Sequence, residues 1–111
     1  MKLCLESLKN PAPWQAAGIA LPEFDLEAMR EATARAPVWV HLGAGNIFRG
    51  FIARLQQDLL NQGLAFQGIV AGEAFDPEII ERVYTPFQNL SLMVSLLADG
   101  TMEREVVASV A

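Results

Sequence analysis

The spacing of hydrophobic positions changes along this chain near residue 43. Val38 to Leu42 is a short apolar run rich in β-branched and aromatic side chains, the pattern of a buried strand. Beyond Gly43-Ala44-Gly45, apolar residues recur every four positions at Ile47, Phe51, Leu55 and Leu59, with Phe48 and Ile52 beside them. That spacing marks one face of a helix. Gly63 is placed to cap this helix after Asn61-Gln62. Leu64 to Ala71 then reads as a second strand. A helix-length separation between the two strands predicts a parallel, right-handed βαβ crossover.

The flanking segments are shorter and more broken. Asn10-Pro11, Pro13, Gly18 and Pro22 interrupt residues 1–25, which read as an irregular leader with room for one short helix. Trp14, Ile19, Leu21 and Phe24 would hook this leader onto the domain surface, since a disordered tail carries fewer large apolar residues. Asp25 is an N-cap candidate for a helix that turns Leu26, Met29 and Ala36 inward, pairs Glu31 with Arg35 and stops at Pro37. Asp76-Pro77-Glu78 predicts another helix start, with Asp76 as N-cap, a stripe of Ile79, Ile80 and Val83, and a stop at Thr85-Pro86. Leu90–Leu97 and Glu103–Val110 are β-prone runs joined by Asp99-Gly100, a hairpin signal. Trp39, Phe66 and Phe87 read as core, and Glu78/Arg82 as a surface pair. The expected fold class is α/β. Residues 26–111 would form the first half of a Rossmann-type dinucleotide-binding domain, a parallel βαβ unit followed by a β-hairpin.

Strand, glycine turn and helix in this order are the setting that a nucleotide-binding glycine motif needs. Gly43 can adopt backbone angles closed to other residues and so turn the chain sharply. Gly45 lets a pyrophosphate approach the main chain, and the first helical N–H groups, unpaired inside the helix, point at its negative charge. The third glycine of Gly-x-Gly-x-x-Gly would fall at Phe48, and Gly50 is placed to take its role in close packing. The alternative is a tight strand–helix turn without a ligand. The candidate cofactor-binding set is Gly43, Ala44, Gly45, Asn46, Ile47, Phe48, Arg49, Gly50 and Glu73. Asn46 could cap the helix and donate to a phosphate, and Arg49 could reach a pyrophosphate or a carboxylate. Glu73 ends the second strand, where an acidic residue bonds the adenosine ribose and repels a 2′-phosphate. The expected cofactor is therefore NAD. His41 reads as a packed strand residue.

Composition narrows the partners. The chain has 111 residues and a net charge of −5, which argues against a nucleic-acid partner and an anionic membrane surface. No run is long and apolar enough to span a bilayer, and the first residues do not form a signal peptide. Cys4 is the single cysteine and His41 the single histidine, so no internal disulfide or clustered metal site is expected. A reducing cytoplasm is the expected compartment.

The run His41-Leu42-Gly43-Ala44-Gly45-Asn46-Ile47-Phe48-Arg49-Gly50-Phe51-Ile52 resembles the amino-terminal fingerprint of the mannitol dehydrogenase family, the long-chain polyol and hexuronate dehydrogenases. The leader Leu21-Pro22-Glu23-Phe24-Asp25 and the Asp-Gly hairpin are similar to the same family, so the resemblance spans nearly the whole chain. It implies an NAD(P)-dependent oxidoreductase that interconverts a secondary alcohol and a ketone, of the mannitol/fructose or mannonate/fructuronate type. It also implies a zinc-free mechanism with a lysine acid/base, held with asparagine and histidine in a helical carboxyl-terminal domain. Nothing in this chain matches that motif, so no catalytic residue is assigned, and family members are several times longer. The expectation is the first part of a cofactor domain, inactive alone. Two rivals stand beside it. One is a structural module that self-associates through an exposed sheet edge. The other is a methyltransferase, which usually carries an acidic residue just before its glycines, where this chain has His41-Leu42.

Overall fold

The computed structural model describes residues 1–111. Two short helices, α1 (Leu5–Leu8) and α2 (Ala12–Ala16), lead into the strand β1 (Ile19–Ala20). Helix α3 (Leu26–Arg35) follows, then β2 (Val40–Leu42). A π-helical turn (Phe48–Ile52) runs directly into α4 (Ala53–Asn61), and β3 (Val70–Gly72) comes next. A second π-helical turn (Ile80–Tyr84) and a 3₁₀ turn (Thr85–Phe87) precede β4 (Ser91–Leu96) and β5 (Met102–Val107).

The architecture is mixed α/β. β2 and β3 pair in parallel, with Val40 opposite Val70 and Leu42 opposite Gly72. β4 and β5 pair antiparallel around Asp99, whose carboxylate accepts the Thr101 amide and hydroxyl. Gly100, at φ +87°, supplies the left-handed turn residue. The chain beyond β5 joins the two sheets through a parallel bridge between Ile69 and Val110. β5 divides the core by strand alternation. Val107 faces Ala44, Phe48, Ala53, Ile69, Tyr84 and Val110, while Val106 faces Trp14, Leu90 and Ala108.

Several expectations require correction. The leader is not irregular: it forms two helices and a strand, because β1 finds a partner in β5 (Ile19 opposite Arg104) and Trp14 is buried against the hairpin. The second strand is shorter than Leu64–Ala71, because Gly68 and Ile69 bond elsewhere. The Gly68 amide donates to Thr33 Oγ1 at 2.9 Å and that of Ile69 to the Ser109 carbonyl at 2.8 Å. Asp25 caps α3 by accepting the Ala28 amide, and Met29 is buried, but Ala36 is exposed beside Pro37. Thr33, not Ala36, completes the inward side, and Glu31 and Arg35 form no ion pair. Glu78 and Arg82 do pair, at 3.4 Å.

The largest departure concerns which surfaces face outward. β2 is not buried on both sides: His41 and Trp39 are half-covered while Val38, Val40 and Leu42 are exposed. The stripe Ile47, Phe51, Leu55 and Leu59 also faces out, at 79, 60, 50 and 40% exposure. Phe66 and Phe87 are exposed rather than core. The buried face of the helix carries Phe48, Ala53, Gln56, Gln57 and Leu60 instead. Phe48 and Ala53 would lie about 140° apart on a plain α-helix. The wider π turn brings them onto one side.

Candidate functional site

The site lies where β2 and β3 end side by side. Gly43 follows β2 with φ +114°, a conformation open only to glycine, and its amide donates to the Gly72 carbonyl at 2.7 Å. The chain then turns once and enters the helix spanning 46–61. This turn is where the fold needs its first glycine.

Ala44 is fully buried and sits at the centre of the hydrogen bonding. Its amide donates to Glu73 Oε2 at 2.9 Å. Its carbonyl accepts from Arg49 Nη1 at 2.8 Å and from the Tyr84 hydroxyl at 2.8 Å. Arg49 also donates through Nη2 to Asn46 Oδ1, and its guanidinium carbon lies 5.6 Å from the centre of the Tyr84 ring. Asn46 and Arg49 are thereby tied to each other.

The amides of Gly45, Asn46 and Ile47 have no acceptor within the chain. They are the free donors of a helix start, at the positive end of its dipole. In front of Gly45 the space is open: a Cβ built there would meet nothing within 4 Å. The Phe48 ring does not fill it. That ring is buried and stacks on His41, with centroids 4.5 Å apart. Gly50 makes a different close approach, to β4, where an added Cβ would lie 3.2 Å from Met93 Sδ.

Glu73 stands directly after β3, and both its oxygens are engaged. Oε2 takes the Ala44 amide, and Oε1 takes the amides of Phe75 and Asp76 at 3.2 and 3.3 Å. These three donors, Ala44 first, hold the Glu73 carboxyl below its ordinary range. The bonds also explain why Asp76 is no side-chain cap: Glu73 accepts the turn amides ahead of the second π turn, and the Asp76 main-chain carbonyl takes the Ile79 amide. Burial pushes the Tyr84 phenol up, so it remains a donor at neutral pH. No group of His, Cys, Asp and Glu is arranged to hold a metal.

The nine predicted residues are therefore contiguous in space, with Phe48 turned into the core and Gly50 against β4. Tyr84 joins them without having been singled out in the sequence. The available signal was a tyrosine closing an apolar stripe, whose hydroxyl needs a partner once buried.

No family model matches the chain. D-mannonate oxidoreductase of Thermotoga maritima is 44% identical over 110 residues, covering 99% of this chain and 20% of that protein. The chain thus spans about a fifth of the length of this curated relative. Mannitol 2-dehydrogenase of Pseudomonas fluorescens, solved as a ternary complex with NAD and D-mannitol, shares the fold with a TM-score of 0.75. It is 20% identical, and the match covers 99% of this chain and 21% of that one. D-sorbitol dehydrogenase in substrate-free form gives a TM-score of 0.76 at 18% identity, with the same coverage. No helix here is long and apolar enough to cross a membrane.

Proposed function

From the premise that this chain is a segment of the mannitol dehydrogenase family, we propose that it is the NAD-binding portion of a polyol or hexuronate oxidoreductase. In this reading, β2, the crossover helix and β3 are the opening βαβ unit of a Rossmann-type domain. Residues 26–111 belong to that domain, and the leader of residues 1–25 packs onto it through Trp14 and β1. The observation that carries the reading is the set of unpaired amides at Gly45, Asn46 and Ile47, facing space that no side chain occupies. Such a mouth accepts a diphosphate without rearranging the backbone. The NAD complex of the Pseudomonas relative supports the same ligand class.

Each residue then has a part. Gly43 makes the turn, Ala44 fixes it, and the amides of Gly45, Asn46 and Ile47 hold the diphosphate. Glu73 has about one lone-pair direction left after its three amide bonds. That acceptor suits an adenosine ribose hydroxyl, and the carboxylate charge disfavours a 2′-phosphate, hence NAD over NADP. Bound NAD would supply or take the hydride. The chain's own residues bind and orient it; substrate contact and proton transfer fall to residues of the longer relatives. The substrate would be a sugar alcohol or a hexuronate-derived sugar acid, and the 111-residue chain alone should show no turnover.

NADH titration tests the assignment, read by quenching of Trp39 and Trp14 fluorescence. Gly45→Val places bulk where the ligand must come, in space the fold leaves empty. NADH should quench the wild type and bind the variant at least about tenfold more weakly, about 1.4 kcal/mol. Equal affinity in the two proteins removes the diphosphate from this turn.

A further inference from the structure

Two successive peptide groups of the glycine turn are held in opposite senses. The Ala44 amide is committed to Glu73, while the Ala44 carbonyl points into the core, toward Tyr84 and Arg49. In a trans peptide the carbonyl and the N–H lie on opposite sides, and the chain has no cis peptide. The N–H opposite the Ala44 carbonyl is that of Gly45. Ala44 and Tyr84 are 0 and 2% exposed, so the carbonyl side is the buried one. The Gly45 N–H is thus turned away from the core and toward the open space in front of this residue.

Gly45 restrains that orientation little, because its φ, one of the two dihedrals that set the Ala44–Gly45 peptide plane, is nearly free in glycine. A flipped Ala44–Gly45 peptide would present its carbonyl oxygen to an anion and repel it. Something outside the turn must set the sense. We propose that Tyr84 is a positioning residue: its hydroxyl, together with the Arg49 guanidinium, anchors the Ala44 carbonyl and so aims the Gly45 amide at the diphosphate. The ligand half of this inference rests on the dinucleotide reading above. The anchoring half rests on the hydrogen bonds alone.

The two π-helical turns serve this arrangement. One carries Arg49 and the other ends in Tyr84, and their side chains converge on a single oxygen. The Tyr84 ring packs among Ala44, Phe48, Ile69 and Val107, so a phenylalanine would keep the apolar contacts and lose only the hydroxyl.

Tyr84→Phe is therefore the test, with Arg49→Met as a second variant on a half-buried side chain. Two quantities are read: the Gly45 amide cross-peak in the ligand-free protein, and NADH affinity. Both variants should shift or broaden the Gly45 cross-peak. Tyr84→Phe should raise the NADH dissociation constant about tenfold, as expected if the misaimed Gly45 amide loses its charge-assisted hydrogen bond to the diphosphate. An unmoved Gly45 amide in both variants overturns the anchoring, whether or not NADH binds. A moved amide with unchanged NADH affinity overturns the positioning role. If the wild type fails to bind NADH while the amide moves, the dinucleotide reading fails and the anchoring stands. If Tyr84→Phe does not fold, Arg49→Met supplies the same amide measurement.

Discussion

Gly68→Ala should be among the most damaging single-methyl changes in this chain. Gly68 is where the approach to β3 passes between α3 and the segment beyond β5. A Cβ built there would lie 2.6 Å from Met29 Sδ, and closer still to the Ser109 carbonyl oxygen. Met29 has a flexible side chain and can yield. Ser109 is backbone held in place: its carbonyl accepts the Ile69 amide at 2.8 Å and its hydroxyl bonds the Ala53 carbonyl. Overpacking of this kind costs about 1–3 kcal/mol. Moving Ser109 also strains at least one buried hydrogen bond, about 1 kcal/mol more. Gly68 lacks a positive φ, so alanine recovers about 0.4–1 kcal/mol by restricting the unfolded chain. The net loss is about 1–3.5 kcal/mol, a substantial share of the roughly 5–15 kcal/mol that holds a typical domain. Urea unfolding reads it: with a slope of about 1–2 kcal/mol/M, the midpoint should fall by at least about 0.5 M and by up to about 3.5 M. Gly45→Ala is the control, since it enters open space and should leave the midpoint nearly unchanged. An unchanged or raised midpoint for Gly68→Ala would show that the chain crossing is loose, and the close approach to Ser109 would lose its role in placing β3.

Two further outcomes follow from the same geometry. The Glu73 carboxyl is held below its ordinary value of 4.5 by amides present only in the folded chain. Its contribution to stability is therefore complete above about pH 4.5 and is lost as pH falls through the lower folded value. Urea midpoints measured from pH 6 downward should decline more steeply in the wild type than in Glu73→Gln; parallel curves would mean the three amide bonds do not form. Phe51, 60% exposed in the apolar stripe, should promote self-association of the isolated chain. Phe51→Lys should lower the concentration dependence of its sedimentation coefficient, and an unaltered profile would exclude this face as the contact.

The glycine turn was legible in the sequence because its signal is local. A change of apolar period, a residue that must take φ +114° and an acidic residue at the next strand end all lie within the expected spacing. The caps at Asp25 and Gly63, and the Asp99-Gly100 turn, were legible for the same reason. What could not be read was which side of an apolar pattern faces inward. Gln57 sits on the helix as a polar residue, yet it is buried, because its amide group bonds the Val106 carbonyl and the Ala108 amide where β5 runs out of ladder partners. Gln56 does the same for the Gln67 carbonyl. Those demands come from segments roughly ten to fifty residues away and leave no local trace. The leader was misjudged similarly: β1 is two residues long and exists only because β5 offers an edge.

The inverted helix face has its own physical logic. Folded monomers of 12.1 kDa expose about 6000 Å², whereas this chain exposes 6876 Å². The surplus, roughly 850 Å², is close to the area of about 800 Å² that one partner commits to a standard interface. The exposed apolar groups include Val38, Val40 and Leu42 on the uncovered side of β2, and the stripe from Ile47 to Leu59. Parallel strands normally carry cover on both faces, which is why β2 reads as a continuous apolar run. Here Phe48, stacked on His41, and the crossover helix cover one face only. The period-four stripe is equally regular, and regularity is what a second layer selects. Its outward orientation therefore does not conflict with the sequence pattern. One apolar side of the helix is satisfied by β5 and the glycine turn, and the other is left uncovered in this chain. The mouth of the glycine turn lies at the edge between the two sides, where Gly45 is open while Ala44 is fully buried.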